Sequence, residues 1–302
     1  MTAVAPGVSV VIPTVGRAEL VRSIASVRAQ DYLGEVEVIV VGDLPQGSLD
    51  PSVCSQADVV LYTGGGKRGG AARNLGMGAA SKEFVGFLDD DDEWFPWKLS
   101  SQIPAFEALQ VDVTGTRSVY RNAVTSTTSS PVPEVPMAAG ARVSDYLFHA
   151  RKPRAGRAVI YTSTLVARSE IAKRTLWDEE LPRHQDWDWL DRLERSGARI
   201  TQLTDASAVI WTGSDGSISS SSDWRSSLAW AETRRGLWEP EVLVDFLVGQ
   251  PLRYALQSRS LEGTRSVLRA IIKCRRVPSP PTVMLGLGGL VPRSMINRLL
   301  AK

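Results

Sequence analysis

Residues Phe84 to Trp94 read FVGFLDDDDEW, an apolar run that ends in Asp89, Asp90, Asp91 and Asp92 and then Glu93. Five adjacent carboxylates repel one another, so the run is costly unless something offsets it. Carboxylate oxygens at a strand end suit a hard divalent cation, Mg2+ or Mn2+, which takes one or two carboxylates and completes its shell with phosphate oxygens. The plain alternative for any acidic run is a solvated turn. Here three cations, Lys67, Arg68 and Arg73, lie one strand–helix step upstream. A metal and cations facing one crevice form the arrangement that holds a pyrophosphate. Lys67 and Arg68 follow Gly64-Gly65-Gly66, so they are placed to meet phosphate. A loop that simply needs free backbone angles is the plain reading of those glycines.

The elements that must position these groups alternate along the first hundred residues. VSVVI (Val8–Ile12), VEVIVV (Val36–Val41), DVVLY (Asp58–Tyr62) and FVGFL (Phe84–Leu88) are short apolar strands. Glu19–Arg28 places Leu20, Ile24 and Val27 at helical spacing, and Gly70–Ala80 is an alanine-rich helix. Near-continuous apolar strands separated by helices predict a parallel sheet covered on both faces. In such sheets ligands sit beyond the carboxyl ends of the strands. Thr14, Asp43, the Gly64–Gly70 loop and the aspartates all lie at such ends, so four chain segments converge on one crevice. Further along, VIYTSTLVA (Val159–Ala167) predicts a strand, and Gln185–Ser196 a helix. Thr125–Pro136 and Ser214–Asp223 are polar loops, and Leu261–Arg276 is an amphipathic helix with Leu261, Leu268, Ile271 and Ile272 on one face.

Bulk composition narrows the classes. The chain has 302 residues and a net charge of +2, which exerts no general pull on nucleic acid. Cys54 and Cys274 form no disulfide framework or zinc motif, and two histidines, His149 and His184, exclude a His-rich metal centre. The N-terminal MTAVAPGVSVVIP has no basic region before its apolar stretch, and no run approaches the roughly 20 apolar residues of a membrane span, so a cytoplasmic protein is expected. Charge is uneven: from Gln250 onward there are ten basic residues and one acid, Glu262.

VSVVIPTVGR, VIVVGD, GGAARNLG and FVGFLDDDDEW, in this order and spacing, resemble the nucleotide-sugar half of the inverting family 2 glycosyltransferases of GT-A fold. LWDEELPRHQDWDWLDRL (Leu176–Leu193) is similar to that family's acceptor-side stretch, so the resemblance covers roughly the first 215 residues. It implies an α/β fold of GT-A type: a mainly parallel central sheet flanked by helices, with a helical C-terminal extension. Three regions are expected: 1–115 for the nucleotide-sugar, 116–245 for the acceptor and the base, and 246–302 as the basic extension. The resemblance implies that Pro13, Thr14 and Arg17 line the nucleotide pocket, that Asp43 meets uracil or ribose, and that Arg73 and Asn74 lie near base and phosphates. For Thr14 and Asn74, turn and helix capping are equally good readings. Asp89 would contact the ribose and Asp91 the metal, with Asp90 or Asp92 able to share that duty. An acceptor hydroxyl must lose its proton to attack the anomeric carbon, so a carboxylate base is required. Gln185 stands where relatives often carry glutamate, which makes Asp186 the expected base and Asp188 the alternative. Many relatives complete the metal shell with a downstream histidine; VIWTGSDGSIS has none, leaving water, phosphate or Asp215 for that position.

Tryptophans 94, 97, 177, 187, 189 and 211 are expected to gather where an acceptor would bind, and aromatic faces stack on sugar C–H surfaces. Trp187 or Trp211 is the expected platform, against a core role for each. A UDP-sugar is the expected donor, by family frequency, and a saccharide or lipid-linked hydroxyl the expected acceptor. Two rivals remain. Gly64–Gly69 formally fits a dinucleotide fingerprint with Asp89 beyond it, but it follows the third strand rather than the first, and Leu61 excludes a Walker A loop. A non-catalytic nucleotide- or sugar-binding protein on the same fold is the other. The basic tail beside TVMLGLGGLV (Thr282–Val291) predicts at most peripheral contact with the inner membrane face, against a helix packed on the body with solvated arginines.

Overall fold

The computed structural model describes residues 5–149, 158–212 and 222–291. The chain divides into two compact units, Met1–Val143 with Arg157–Ser214, and Ser144–Gly156 with Asp215–Lys302. The sheet of the first unit draws its strands from both of the regions expected at 1–115 and 116–245.

The first unit is built on strands β1 (Val8–Thr14), β2 (Val36–Gly42), β3 (Val59–Tyr62), β4 (Phe84–Phe87), β5 (Glu93–Trp94), β6 (Val113–Asn122), β7 (Val166–Arg168) and β8 (Ile200–Thr212). Its helices are α1 (Leu20–Arg28), α2 (Pro51–Cys54), α3 (Arg68–Ala79) and α4 (Lys98–Ala108); α5 (Val143–Phe148) leads into the second unit, and α6 (Ser169–Arg174) and α7 (Gln185–Arg195) return to the first. The strands form one sheet in the order β3-β2-β1-β4-β7-β6-β8-β5. β1 pairs in parallel with β2 and β4, β2 with β3, and β6 with β8. β7 runs antiparallel between β4 and β6, and β5 antiparallel to β8, so the sheet is mixed.

The buried parallel half follows from the sequence. β1 is apolar at successive positions because both of its faces are covered: Val10 and Ile12 join Leu20, Ile24, Phe84 and Leu99 in the core. Helix α3 lies unusually close to the sheet. A Cβ at Gly76 would stand 2.4 Å from Val11 Cγ1, so only glycine fits that crossing. The register Thr14↔Gly42 brings the ends of β1 and β2 to one edge of the sheet, where β4 also runs out into the aspartates.

The expected strand over Val159–Ala167 is mostly a different structure. Thr162–Thr164 form a buried 3-10 turn, and only Val166–Arg168 pair in the sheet. Thr125–Pro136, expected to be a loop, touches β6 through single bridges at Ser118–Val132 and Arg121–Thr128. The loop expected at Ser214–Asp223 lies almost wholly outside the described residues.

The second unit is helical: α8 (Trp224–Thr233), α9 (Pro240–Leu247), a π-helical turn (Val248–Leu252), α10 (Arg253–Gln257), α11 (Leu261–Cys274) and α12 (Pro280–Leu287). Its core is aromatic, with Phe148 packed against Trp230, Trp238 and Phe246. Asp245 is buried there, bonded to His149 Nδ1 at 2.8 Å and accepting from the Ser279 amide at 2.7 Å, ahead of α12.

Candidate active site

The acidic run turns its side chains alternately. Asp90 and Asp92 are buried, at 4% and 6% exposure, whereas Asp89 and Asp91 remain partly open. Each carboxylate has its own partner. Asp90 accepts from Thr14 Oγ1 at 2.6 Å and from Arg17 at 3.0 Å. Asp91 meets the same guanidinium at 2.9 Å. Asp89 pairs with Arg73 at 2.6 Å, and Glu93 with Arg22 at 2.8 Å. Asp92 accepts from Ser163 Oγ and from the Trp211 amide. Arginines and hydroxyls thus offset much of the repulsion that the sequence left to a metal. Burial still raises the pKa values of Asp90 and Asp91, assisted by the neighbouring Asp89 charge, and it pushes Asp92 well above the ordinary range.

Behind the run, Ser23 Oγ lies 2.9 Å and 2.7 Å from the carbonyls of Asp90 and Asp92. The Asp89 amide donates to Ser163 Oγ, and Trp94 Nε1 donates to the Ser163 carbonyl. Lys98, wholly buried, bonds Gln102 and the Thr164 carbonyl, and that burial drives its pKa well below the usual lysine range. Sequence reasoning missed Ser23, Ser163 and Lys98. Three hydroxyl residues in succession inside an apolar stretch, Thr162-Ser163-Thr164, were the only available signal.

Asp43 sits at the end of β2 and organises the glycine loop. It accepts from Thr63 Oγ1 and from the amides of Lys67 at 2.8 Å and Arg68 at 2.7 Å. Partial burial pushes its pKa up, but these hydrogen bonds outweigh that and hold it below the usual aspartate value. Gly64, Gly65 and Gly66 all take positive φ, so the loop needs the freedom of glycine. Asn74 bonds the Trp177 amide and carbonyl and the Glu179 carboxylate, which fixes the approach to α7. Pro13 and Thr14 end β1, with Thr14 engaged by Asp90 and by the Gly16 amide.

Arg73 links the two chemical ends of the site. Besides Asp89 it reaches Gln185 Oε1 at 3.4 Å, and its guanidinium lies 4.9 Å from the centroid of the Trp177 ring. Gln185 opens α7, and Asp186 follows it in the first turn, where the helix dipole favours an anion. Asp186 is half-buried and accepts from the Trp187 amide at 2.9 Å. Desolvation raises its pKa to about 6; Arg73 works against that rise and Asp89 adds to it. Asp188, the alternative base, is buried at 1% exposure and ion-paired with Arg192 at 2.7 Å.

The six tryptophans separate by environment. Trp94, Trp177 and Trp189 are core, the latter two stacked at 4.6 Å, and Trp97 stacks on Phe95. Trp211 has the guanidinium groups of Arg22 and Arg121 over its ring, at 4.2 Å and 5.4 Å, and it donates Nε1–H to Glu93. Trp187 is half-buried and stacks on His184, whose backbone is left-handed at φ 62°.

Among the described residues no group of three or more His, Cys, Asp or Glu side chains is spaced to hold a metal by itself. The partly open pair Asp89 and Asp91 does supply hard oxygen donors of the kind Mg2+ or Mn2+ shares with phosphates. The donor set therefore fits a cation completed by its substrate rather than a cage made by the protein. Asp215 lies outside the described residues.

A mixed α/β sheet thus carries carboxylates and arginines at its strand ends, with a further carboxylate at a helix start beside them. Residues 9–159 match glycosyl transferase family 2, and the chain belongs to that family. It is 28% identical over 206 residues to the amylovoran biosynthesis glycosyltransferase AmsB of Erwinia amylovora, covering 67% of this chain and 66% of that protein, just under two thirds of its length. The fold is that of S. aureus TarS 1-349. The structure in complex with UDP-GlcNAc gives a TM-score of 0.65 at 19% identity over 88% of this chain and 81% of that one. The structure in complex with UDP gives a TM-score of 0.52 at 17% identity over 88% and 91%. The fold class expected from sequence is thus observed: four of the seven strand pairings are parallel, and the three antiparallel ones make the sheet mixed.

Proposed function

We propose that this chain is an inverting glycosyltransferase that moves a sugar from a nucleoside-diphosphate sugar, a UDP-sugar by preference, to a hydroxyl of a saccharide or lipid-linked acceptor. The observation that carries the reading is the bridge made by Arg73 between Asp89 and the first turn of α7, which puts a carboxylate of pKa about 6 beside the acidic strand end. At neutral pH roughly nine-tenths of such a group is ionised, yet it is a stronger base than an ordinary aspartate. Asp186 would take the proton of the acceptor hydroxyl as its oxygen bonds to the anomeric carbon and the nucleoside diphosphate leaves from the opposite face. Arg17 and Arg73 keep positive charge beside the partly open carboxylates, and the loop at Lys67 and Arg68 offers further cations to phosphate. Asp91, with Asp89 beside it, would hold Mg2+ or Mn2+; when bound, that ion supplies charge stabilisation to the leaving diphosphate. Pro13, Thr14, Asp43, Asn74 and Asp90 shape the donor pocket, Asp43 and Asn74 by fixing its loops. Trp187 is the better acceptor platform, since Trp211 is overlaid by two guanidiniums. The amylovoran biosynthesis named for AmsB and the UDP-GlcNAc and UDP complexes of TarS support the acceptor and donor classes.

Calorimetric titration of UDP, GDP and dTDP, each with Mn2+ and with EDTA, tests the donor side. Metal-dependent binding of one nucleotide is expected. Asp186→Asn should keep that binding and abolish transfer. A variant that retains full turnover would remove Asp186 from the reaction, and absence of nucleotide binding would overturn the reading.

A further inference from the structure

The long C-terminal helix exposes the residues that an amphipathic helix normally buries. α11 turns Gly263, Val267, Ala270 and Cys274 inward and leaves Leu261 and Ile272 each 74% exposed, with Leu268 at 44%. Close packing fixes this orientation: a Cβ at Gly263 would stand 2.6 Å from the Trp224 ring, so no bulkier side chain can take the inward position. α12 repeats the pattern, burying Thr282 and Gly286 while Met284 is 75% and Leu287 52% exposed. Single exposed leucines are ordinary, but a stripe of aliphatic residues exposed at i, i+7 and i+11 of one helix face, with an arginine at i+4 between them, is not.

Leu261, Arg265, Leu268 and Ile272 form that stripe, and Arg269 and Lys273 border it. Glu262 is the one acid from Gln250 onward, and it is already paired with Arg225 at 2.6 Å. Aliphatic side chains interleaved with cations complement a surface that offers hydrocarbon just beneath negative charge. We propose that the outward face of α11 lies on an anionic lipid bilayer, parallel to its plane. The aliphatic side chains enter the acyl boundary and the arginines meet headgroup phosphates. No described helix is long and apolar enough to cross a membrane, so the contact is peripheral.

The test is co-sedimentation of the full chain with vesicles of phosphatidylcholine alone and of phosphatidylcholine with phosphatidylglycerol, at low salt and at about 0.15 M. Binding to the anionic vesicles alone, weakened by salt, is expected. Arg265→Ala/Arg269→Ala should lower partitioning on the order of 30-fold, from about fivefold per basic residue. Leu268→Ser/Ile272→Ser should abolish it. Unchanged circular dichroism and thermal melts of both variants keep a folding defect apart from a lost surface, and neither readout depends on the proposed transfer reaction. Failure of the wild-type chain to sediment at low salt, or sedimentation untouched by both variants, overturns the proposal. A dimer in ultracentrifugation that disappears in Leu268→Ser/Ile272→Ser, without vesicle binding, would assign the face to a second copy instead.

Discussion

Replacing Asp186 by Asn should stabilise the protein while it removes the base. In the folded chain the Asp186 carboxyl titrates at about 6 rather than near 3.8, because its surroundings desolvate the anion. A group whose folded pKa lies above its unfolded value favours folding while protonated, and that contribution is lost as pH rises through the folded value. The gap of about two pH units, at 1.36 kcal/mol each, makes the ionised form cost up to about 3 kcal/mol above pH 6. Asparagine has the shape of the protonated acid and can still accept from the Trp187 amide. The variant should therefore match the wild type near pH 4 and exceed it increasingly to pH 7. At neutral pH the gain should be several degrees in melting temperature, at about 2–4 °C per kcal/mol. Thermal melts between pH 4.5 and 8 in EDTA, without nucleotide, read this directly. Transfer in the same variant should fall by a factor on the order of 10^2–10^4. A variant that melts at or below the wild type throughout, or by a margin independent of pH, would refute the desolvated-base account.

Arg73→Gln removes the cation that restrains Asp186, so the acid limb of the kcat/KM profile should move above pH 6, with turnover reduced; an unmoved limb would mean that Arg73 acts elsewhere. Ser163→Ala leaves the Asp89 amide without its partner and buried Asp92 with only the Trp211 amide, and should cost about 1–3 kcal/mol in urea unfolding and weaken nucleotide binding; an unchanged midpoint would show that the 3-10 turn does not support the run. Gly76→Ala gains roughly 1 kcal/mol of helix propensity but forces a Cβ against Val11, for which overpacking costs about 1–3 kcal/mol. A net loss of melting temperature is expected, and a gain would show that α3 can lift from the sheet.

Periodicity was enough for the parallel half. β1, β2, β3 and β4, with α1 and α3, lie within two residues of where apolar runs and helical spacing put them, because strands buried on both faces carry an unbroken local signal. The same reading also brought the strand ends together, so Thr14, Asp43 and the aspartates were legible as neighbours before any coordinates. The antiparallel insertion of β7 between β4 and β6 was not, since pairing direction between distant segments leaves no mark on local pattern. Nor was the alternation within DDDD. Four identical residues give no hint that Asp90 and Asp92 turn inward to Thr14 and Ser163 while Asp89 and Asp91 stay open; partners 76 and 71 positions away in the chain decide it. The orientation of α11 was likewise not legible. Sequence marks Leu261, Leu268, Ile271 and Ile272 as the apolar face, but a helix packs by the face that lets backbones approach, and Trp224 against Gly263 fixed which one that is. What the chain determines locally is which elements form and which residues end them; what only the fold determines is which charges meet, because burial and long-range pairing set their energies.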